Sequence, residues 1–383
     1  MNFNHLNRGG STIVAKTVCA IVFLAFSLLW LYFFQADVLS VFQHVLSGGL
    51  THYDRLVGAV VITAALWLLQ IGVAFVVRLH KRFHALTFFP SMLCLAVLSD
   101  VSSDIDLGFS LSHWCWVAPL LLVLWVATVV VARGMQRYDG DTSGHLFSRR
   151  VWVNMLIMVL MMVGVVSVAN TNAVFHFRAH AETALLKGDV REALEVGSSS
   201  LETDASLTML RAYALARQGQ LGERLFEYPL TGTSADLLPL GQQARTMLYP
   251  ADSIYRYLGA IPKGQLTTAE YLQLLETQGK ARRPVADYRL CSWLIDRDLD
   301  AFARNLQRYY TVNDSLPRHY REALVLYTHL RSIPVLEYHD NVMEEDYDDL
   351  QKLKDEYPDV TERKVRVEEK YAGSYWYYFE FLR

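Results

Sequence analysis

Histidine and carboxylate side chains gather at three places in this 383-residue chain where their spacing is compatible with chemistry. His176 and His180 stand four residues apart, with Glu182 close behind. On a helix that spacing puts both imidazoles on one face, as two histidines of a transition-metal site would be. No third ligand is indicated, and exposed histidines on a helix account for the pattern equally well. The second group is His44, His52, Asp54, Asp100, Asp104, Asp106 and His113, scattered through gaps between apolar runs. Carboxylates and imidazoles converging at a membrane surface can bind a cation or transfer protons. Acidic gaps also arise simply because translocated segments lack basic residues, which explains the carboxylates without catalysis. The third is Asp139-Gly-Asp-Thr-Ser-Gly144, which has calcium-like oxygen donors but lacks the glutamate that closes an EF-hand loop. It reads better as a turn. No Walker loop, Gly-x-Ser-x-Gly elbow or His-Glu-x-x-His occurs, so no catalytic residue, metal ligand or cofactor is assigned.

The elements that would position these groups divide sharply at residue 170. Residues 1–170 carry 10 Lys+Arg and 7 Asp+Glu, against 26 and 32 in residues 171–383. A basic, apolar half precedes an acidic, evenly charged one, and a net charge of -3 offers no basic face for nucleic acid. The four cysteines, Cys19, Cys94, Cys115 and Cys291, form no paired metal or redox signature.

Five apolar runs in the first half predict membrane spans near 12–34, 56–77, 85–99, 114–132 and 151–169. The first is longer than a signal-peptide core, and no small-residue cleavage site follows it, so it reads as a retained anchor. Between the first two runs, Val38–Leu46 has the spacing of an amphipathic interfacial helix. The third run is short and contains Pro90, expected to kink it. Gln70 and Asn154 are nearly the only strongly polar groups inside the spans, which disfavours an ion-coupled transporter.

Charge sets the direction. If the third run crosses, nine of the ten basic residues of this half face the cytoplasm: Arg8, Lys16, Arg78, Lys81, Arg82, Arg133, Arg137, Arg149 and Arg150. Only Arg55 falls outside, among Asp37, Asp54, Asp100, Asp104 and Asp106. The N-terminus is then cytoplasmic and residues 171–383 lie on the periplasmic side of the cytoplasmic membrane. A re-entrant third run would reverse that.

The second half predicts helical hairpins. Asn172–Lys187, a Gly-Asp turn and a helix to Val196 make one; Ser206–Arg217 and the residues to Phe226 make another. Gly188 and Gly219 mark a 31-residue period, a little short of the tetratricopeptide repeat, and Ala181 and Ala212 recur in register. Asp287–Ile295 and the residues to Arg304 read as a diverged third copy. The fold class is therefore all-α: five transmembrane helices followed by a tetratricopeptide-like domain, with a generic helical bundle as the alternative. Tyr228–Gly279 interrupts the repeats with prolines and glycines, and Thr267 followed by Glu270 marks a helix start inside it. Glu337–Pro358 predicts a solvated acidic helix. The tail from Lys370 to Arg383, rich in Tyr, Trp and Phe, suits a cover for the open end of the stack or a docking segment.

The five runs, the Gly-Asp hairpins, the segment His319-Tyr-Arg-Glu-Ala-Leu-Val-Leu-Tyr327 and the aromatic ending together resemble an uncharacterised family of multi-pass membrane proteins from Bacteroidota. That resemblance implies a Gram-negative envelope, and no activity or site residue comes with it.

Function follows as an expectation. Stacked hairpins present a concave face from their first helices, suited to an extended or helical segment of another protein. The alignment of the repeats puts Arg178, Glu182 and Tyr213 on that face. The chain reads as a non-enzymatic membrane scaffold whose partners are the bilayer and an envelope protein. The alternative is a membrane enzyme or lipid-handling protein with its site at Asp100, Asp104 and His113.

Overall fold

A computed structural model of the chain describes residues 7–79, 81–108, 113–136, 149–241 and 243–382. The segment Asp139–Gly144 lies outside them. Among the described residues every regular element is helical. The chain divides into two compact units, Met1–Asn172 and Ala173–Arg383.

The N-terminal unit holds five helical segments long and apolar enough to cross a membrane: Ile13–Phe34, Arg55–Val77, Arg82–Ser99, Trp114–Met135 and Arg149–Val168. The first is α1 (Asn7–Leu29) with a wide π-helical turn at Trp30–Phe34. A short helix follows, α2 (Ala36–Ser47), whose Val38, Leu39 and Val41 face inward. Next comes α3 (Arg55–Val77), capped by Asp54, which accepts from the Val57 N–H at 2.8 Å.

The third segment is the irregular one. It combines a 3-10 stretch, Lys81–Phe88, with α4 (Phe89–Ser99). Pro90 falls in the first turn of α4, where its missing donor costs nothing, so it starts this helix instead of kinking it. The 3-10 stretch also changes the length. The backbone breaks at Phe83, and beyond it five residues at about 2 Å and eleven at about 1.5 Å reach about 26 Å, close to a hydrocarbon core of about 30 Å.

Its two ends are tied to the two ends of α6 (Arg149–Val168). The Ala85 N–H donates to Asn154 Oδ1 at 2.7 Å, near the start of α6. The Ser99 carbonyl accepts from the Asn170 N–H at 3.0 Å, just past its end. Segment 82–99 therefore runs the height of the bundle alongside α6 and in the same direction. It is also the most enclosed of the five, 56% buried over its apolar window, against 11–22% for the others. That enclosure suits it, because non-helical backbone at membrane depth survives only where protein surrounds it. α5 (Trp114–Gln136) completes the set. Its Arg133 Nε donates to the Val77 carbonyl at 2.8 Å, closing the open end of α3.

The C-terminal unit is built of antiparallel helical pairs around one continuous core that runs from Ala181 to Tyr378. α7 (Ala173–Lys187) turns through Gly188, at φ +82°, into α8 (Val190–Glu195), which Asp189 caps. α9 (Ala205–Gln218) turns through Gly219 into α10 (Leu221–Arg224), which runs on as a 3-10 turn over Leu225–Glu227. The irregular middle contributes α11 (Ala251–Leu258) and α12 (Thr268–Thr277). Thr267 and Glu270 form a reciprocal capping box at the head of α12. α13 (Pro284–Ile295) and α14 (Leu299–Tyr309) form the third pair, followed by α15 (Arg318–Leu330), α16 (Asn341–Glu356), α17 (Val360–Tyr371) and α18 (Tyr375–Phe381).

Candidate functional site

The three residues expected on the concave face do come together, but none of them stands open. Arg178, Glu182 and Tyr213 are all buried, Glu182 completely. What covers them is the chain itself: residues 243–249, part of the irregular middle, lie along α7 and α9. Glu182 accepts from three successive backbone N–H groups, Met247 at 2.9 Å, Leu248 at 2.5 Å and Tyr249 at 2.7 Å. Arg178 donates to the Arg245 carbonyl at 3.4 Å and pairs with Asp204 at 3.3 Å. The Tyr213 and Tyr249 hydroxyls lie 2.9 Å apart. Ser206 adds a bond at the near end, its Oγ accepting from the Arg245 N–H at 3.0 Å.

The cradle therefore holds an irregular segment through its backbone, bent at 247–249 so that three successive N–H groups converge on one carboxylate. A carboxylate that meets three N–H groups and a guanidinium that meets a carbonyl read main chain, not side chains. Burial pushes the Glu182 carboxyl above its ordinary range, against the pull of the three N–H donors and the Arg178 guanidinium. Sequence reasoning found these residues through the repeat alignment. It missed the occupant, because an irregular loop leaves no periodic trace of where it folds back.

A second buried carboxylate lies in α15. Glu322 accepts from the Tyr375 N–H at 2.7 Å, Arg318 Nε at 2.8 Å and His319 Nδ1 at 2.9 Å. The other His319 nitrogen, Nε2, accepts from the Phe226 N–H at 3.2 Å, which assigns the neutral tautomer with its proton on Nδ1. Around this pair the aromatic tail docks. Tyr375 and Tyr378 donate to the Leu294 and Ile295 carbonyls at 3.1 and 2.9 Å, closing the C-terminal end of α13. Trp376 Nε1 donates to the Glu322 carbonyl at 2.8 Å. Arg297 adds bonds to the Tyr378 and Leu382 carbonyls. The residues of this latch stood in the sequence as an amphipathic helix and an aromatic ending. Nothing in their spacing linked one to the other.

Of the histidine and aspartate groups of the first half, Asp100 and His113 are brought together. His113 Nε2 lies 3.2 Å from Asp100 Oδ2, and Trp114 Nε1 donates to the same oxygen at 2.7 Å. Asp100 thus fastens the start of α5. Burial, and then the charge of His52, hold the His44 imidazole below its ordinary range. Asp104 sits on the turn leading into a 3-10 helix at Ile105–Leu107. In the C-terminal unit His180 pairs with Glu192 at 3.0 Å, and the His176 ring lies edge-on to Phe175. Among the described residues no group of three His, Cys, Asp or Glu side chains is placed to hold a metal.

Comparison with known proteins reaches only the C-terminal unit. Residues 263–382 match a family of unknown function, DUF6057. The match begins just ahead of α12 and ends just past α18, so it contains the Glu322 latch and leaves out the Glu182 cradle. No curated protein and no solved structure matches the chain.

Proposed function

We propose that this chain is an integral membrane interaction protein. In this reading its helical unit lies on the periplasmic side of the cytoplasmic membrane and holds an extended or helical segment of another envelope protein. The observation that carries the topology is segment 82–99, long enough to cross and aligned with α6 in direction. With that crossing counted, five spans leave nine of ten basic residues of this half on one side. The helical pairs, taken as tetratricopeptide-like, give the unit its binding role. The cradle of Arg178, Glu182 and Tyr213 supports it further, because it already grips an irregular segment by its main chain. A partner segment of similar shape would exchange with residues 243–249.

The test has two arms. A periplasm-active reporter fused after Arg383 is expected to be active, and a reporter active only in the cytoplasm would reverse the topology. Cross-linking of intact envelope is then expected to recover a specific partner from the full chain and lose it when Glu182→Ala weakens the cradle. Recovery of the same partners from both forms would sink the groove assignment.

The Asp100–His113 pair favours a second reading, an enzymatic or lipid-handling site in the outer gaps that would include Asp104. It predicts that Asp100→Asn, Asp104→Asn or His113→Ala abolishes function in a protein that still inserts. The scaffold reading expects those changes to be mild.

A further inference from the structure

The N-terminal unit contains a cavity of about 390 Å³ between α2, α3 and α4, within the range of about 300–1,000 Å³ that small-molecule sites occupy. Its walls are apolar: Leu39, Phe42 and Leu46 from α2, Ile62 from α3 and Leu98 from α4. The polar lining is confined to one side. There Gln43 Nε2 donates to Thr51 Oγ1 at 2.9 Å, and the Thr51 N–H donates to Ser47 Oγ at 3.2 Å, folding the turn 48–52 back on α2. Tyr53 closes that side. Its ring lies so flat against Gly58 that a Cβ at position 58 would come within 2.3 Å of it. The Tyr53 hydroxyl is enclosed and has no partner among the described residues.

Water fills an apolar cavity poorly, because it finds too few hydrogen-bonding partners there. The surroundings supply something better. The helix that contributes Ile62 leaves Val57, Val61 and Leu68 bare, and α2 leaves Leu46 half exposed at the cavity itself. On a unit with five membrane-length helices, the material against such surfaces is lipid acyl chain. The cavity continues that surface inward and ends at a polar rim of Gln43, Ser47 and Thr51. An occupant with an apolar chain and an ester carbonyl at its head matches both ends.

We infer that this cavity seats one acyl chain of a bilayer phospholipid, with the ester end of that chain at the Gln43–Thr51 rim. The inference rests on the membrane reading of the N-terminal unit and is independent of any partner bound by the C-terminal unit.

The experiment uses the full chain in phosphatidylethanolamine–phosphatidylglycerol vesicles doped with a phospholipid bearing a diazirine on one acyl chain. After irradiation, labelled peptides are mapped by mass spectrometry. Label is expected to concentrate on the residues lining the cavity. Ile62→Trp, which fills it, and Leu46→Trp, at its exposed edge, are each expected to cut that label about ten-fold, as an overpacked site no longer admits the chain. Leu68→Trp, on the bare side of α3, should leave it unchanged, and so should Tyr53→Phe, whose enclosed hydroxyl does not face the chain. Label spread evenly over the spans, or indifferent to Leu46→Trp, overturns the inference. So does its displacement by an equimolar free fatty acid, which would assign the cavity to a different ligand. Alkaline extraction separates the two levels of failure. A chain washed from the vesicles defeats the membrane reading, whereas a chain retained without specific label defeats the lipid seat alone.

Discussion

Asn154 in the N-terminal unit and Glu182 in the C-terminal unit hold comparable positions in different surroundings. Each is fully buried and accepts hydrogen bonds from backbone N–H groups of an irregular segment, 82–99 in one case and 243–249 in the other. Around Asn154 the helices turn their large apolar side chains outward, with Leu68 and Phe75 68% and 75% exposed. Around Glu182 they turn them inward, to a core that spans the whole unit. In lipid the hydrophobic effect does not drive helices together, so close packing and internal hydrogen bonds hold a bundle. In water, apolar burial contributes about 25 cal/mol per Å² and supplies most of the driving force. Glu182 clamps a loop through three backbone donors, whereas Asn154 completes the backbone of a neighbouring span.

That difference predicts an order of sensitivity. The largest effect belongs to Glu322→Ala, which strips three donors of their shared acceptor beneath the aromatic tail. Removing one member of such a buried charged network costs about 3–5 kcal/mol. Hydrogen exchange of the full chain should show α18 losing its protection, and a tail as protected as in the parent would break the latch assignment.

Glu182→Ala comes next, at about 2–4 kcal/mol, since three N–H groups lose one acceptor. Exchange should rise at 247–249 and stay low in α15. The same site has a pH signature. The folded carboxyl titrates above its ordinary range, so the stability it contributes is complete below that range and is lost as pH rises through the raised value. Protection of 243–249 is therefore expected to fall with rising pH across that window in the parent and to be flat in Glu182→Gln.

In the N-terminal unit the corresponding change, Asn154→Ala, is expected to cost less, about 0.6–2 kcal/mol, as hydrogen bonds between membrane helices do. Unfolding in mixed detergent micelles measures it, and a loss as large as that of Glu182→Ala would erase the contrast between the units. The smallest effect belongs to Asp100→Asn. Its His113 partner is 57% exposed, and such pairs contribute about 0–1 kcal/mol. A phenotype much stronger than that change in stability would move weight to the outer-gap site.

Much of this was legible in the residues. Thr267 and Glu270 announced their capping box, and Gly188 and Gly219 their turns, because each acts over three or four residues. Gln70 and Asn154 could be singled out as polar residues in apolar runs. Their partners, Thr87 at 3.0 Å from Gln70 and Ala85 at 2.7 Å from Asn154, could not be read, since contacts at separations of 17 and 69 residues leave no local pattern. Pro90 shows the same limit from the other side. Whether a proline kinks a helix or starts one depends on where the helix begins, and here a 3-10 stretch displaced that point.

The sequence by itself determined the two halves, their helical character, the five membrane-length segments and the charge asymmetry between their gaps. All of these follow from hydrophobic period, run length and charge, which a linear chain displays directly. Tertiary structure alone decided that 243–249 fills the face of Arg178, Glu182 and Tyr213, that the aromatic tail locks onto Glu322, and that 82–99 travels beside α6. Those outcomes depend on which buried acceptor meets which distant backbone donor. Every orphaned N–H must find a partner, but composition does not say whose.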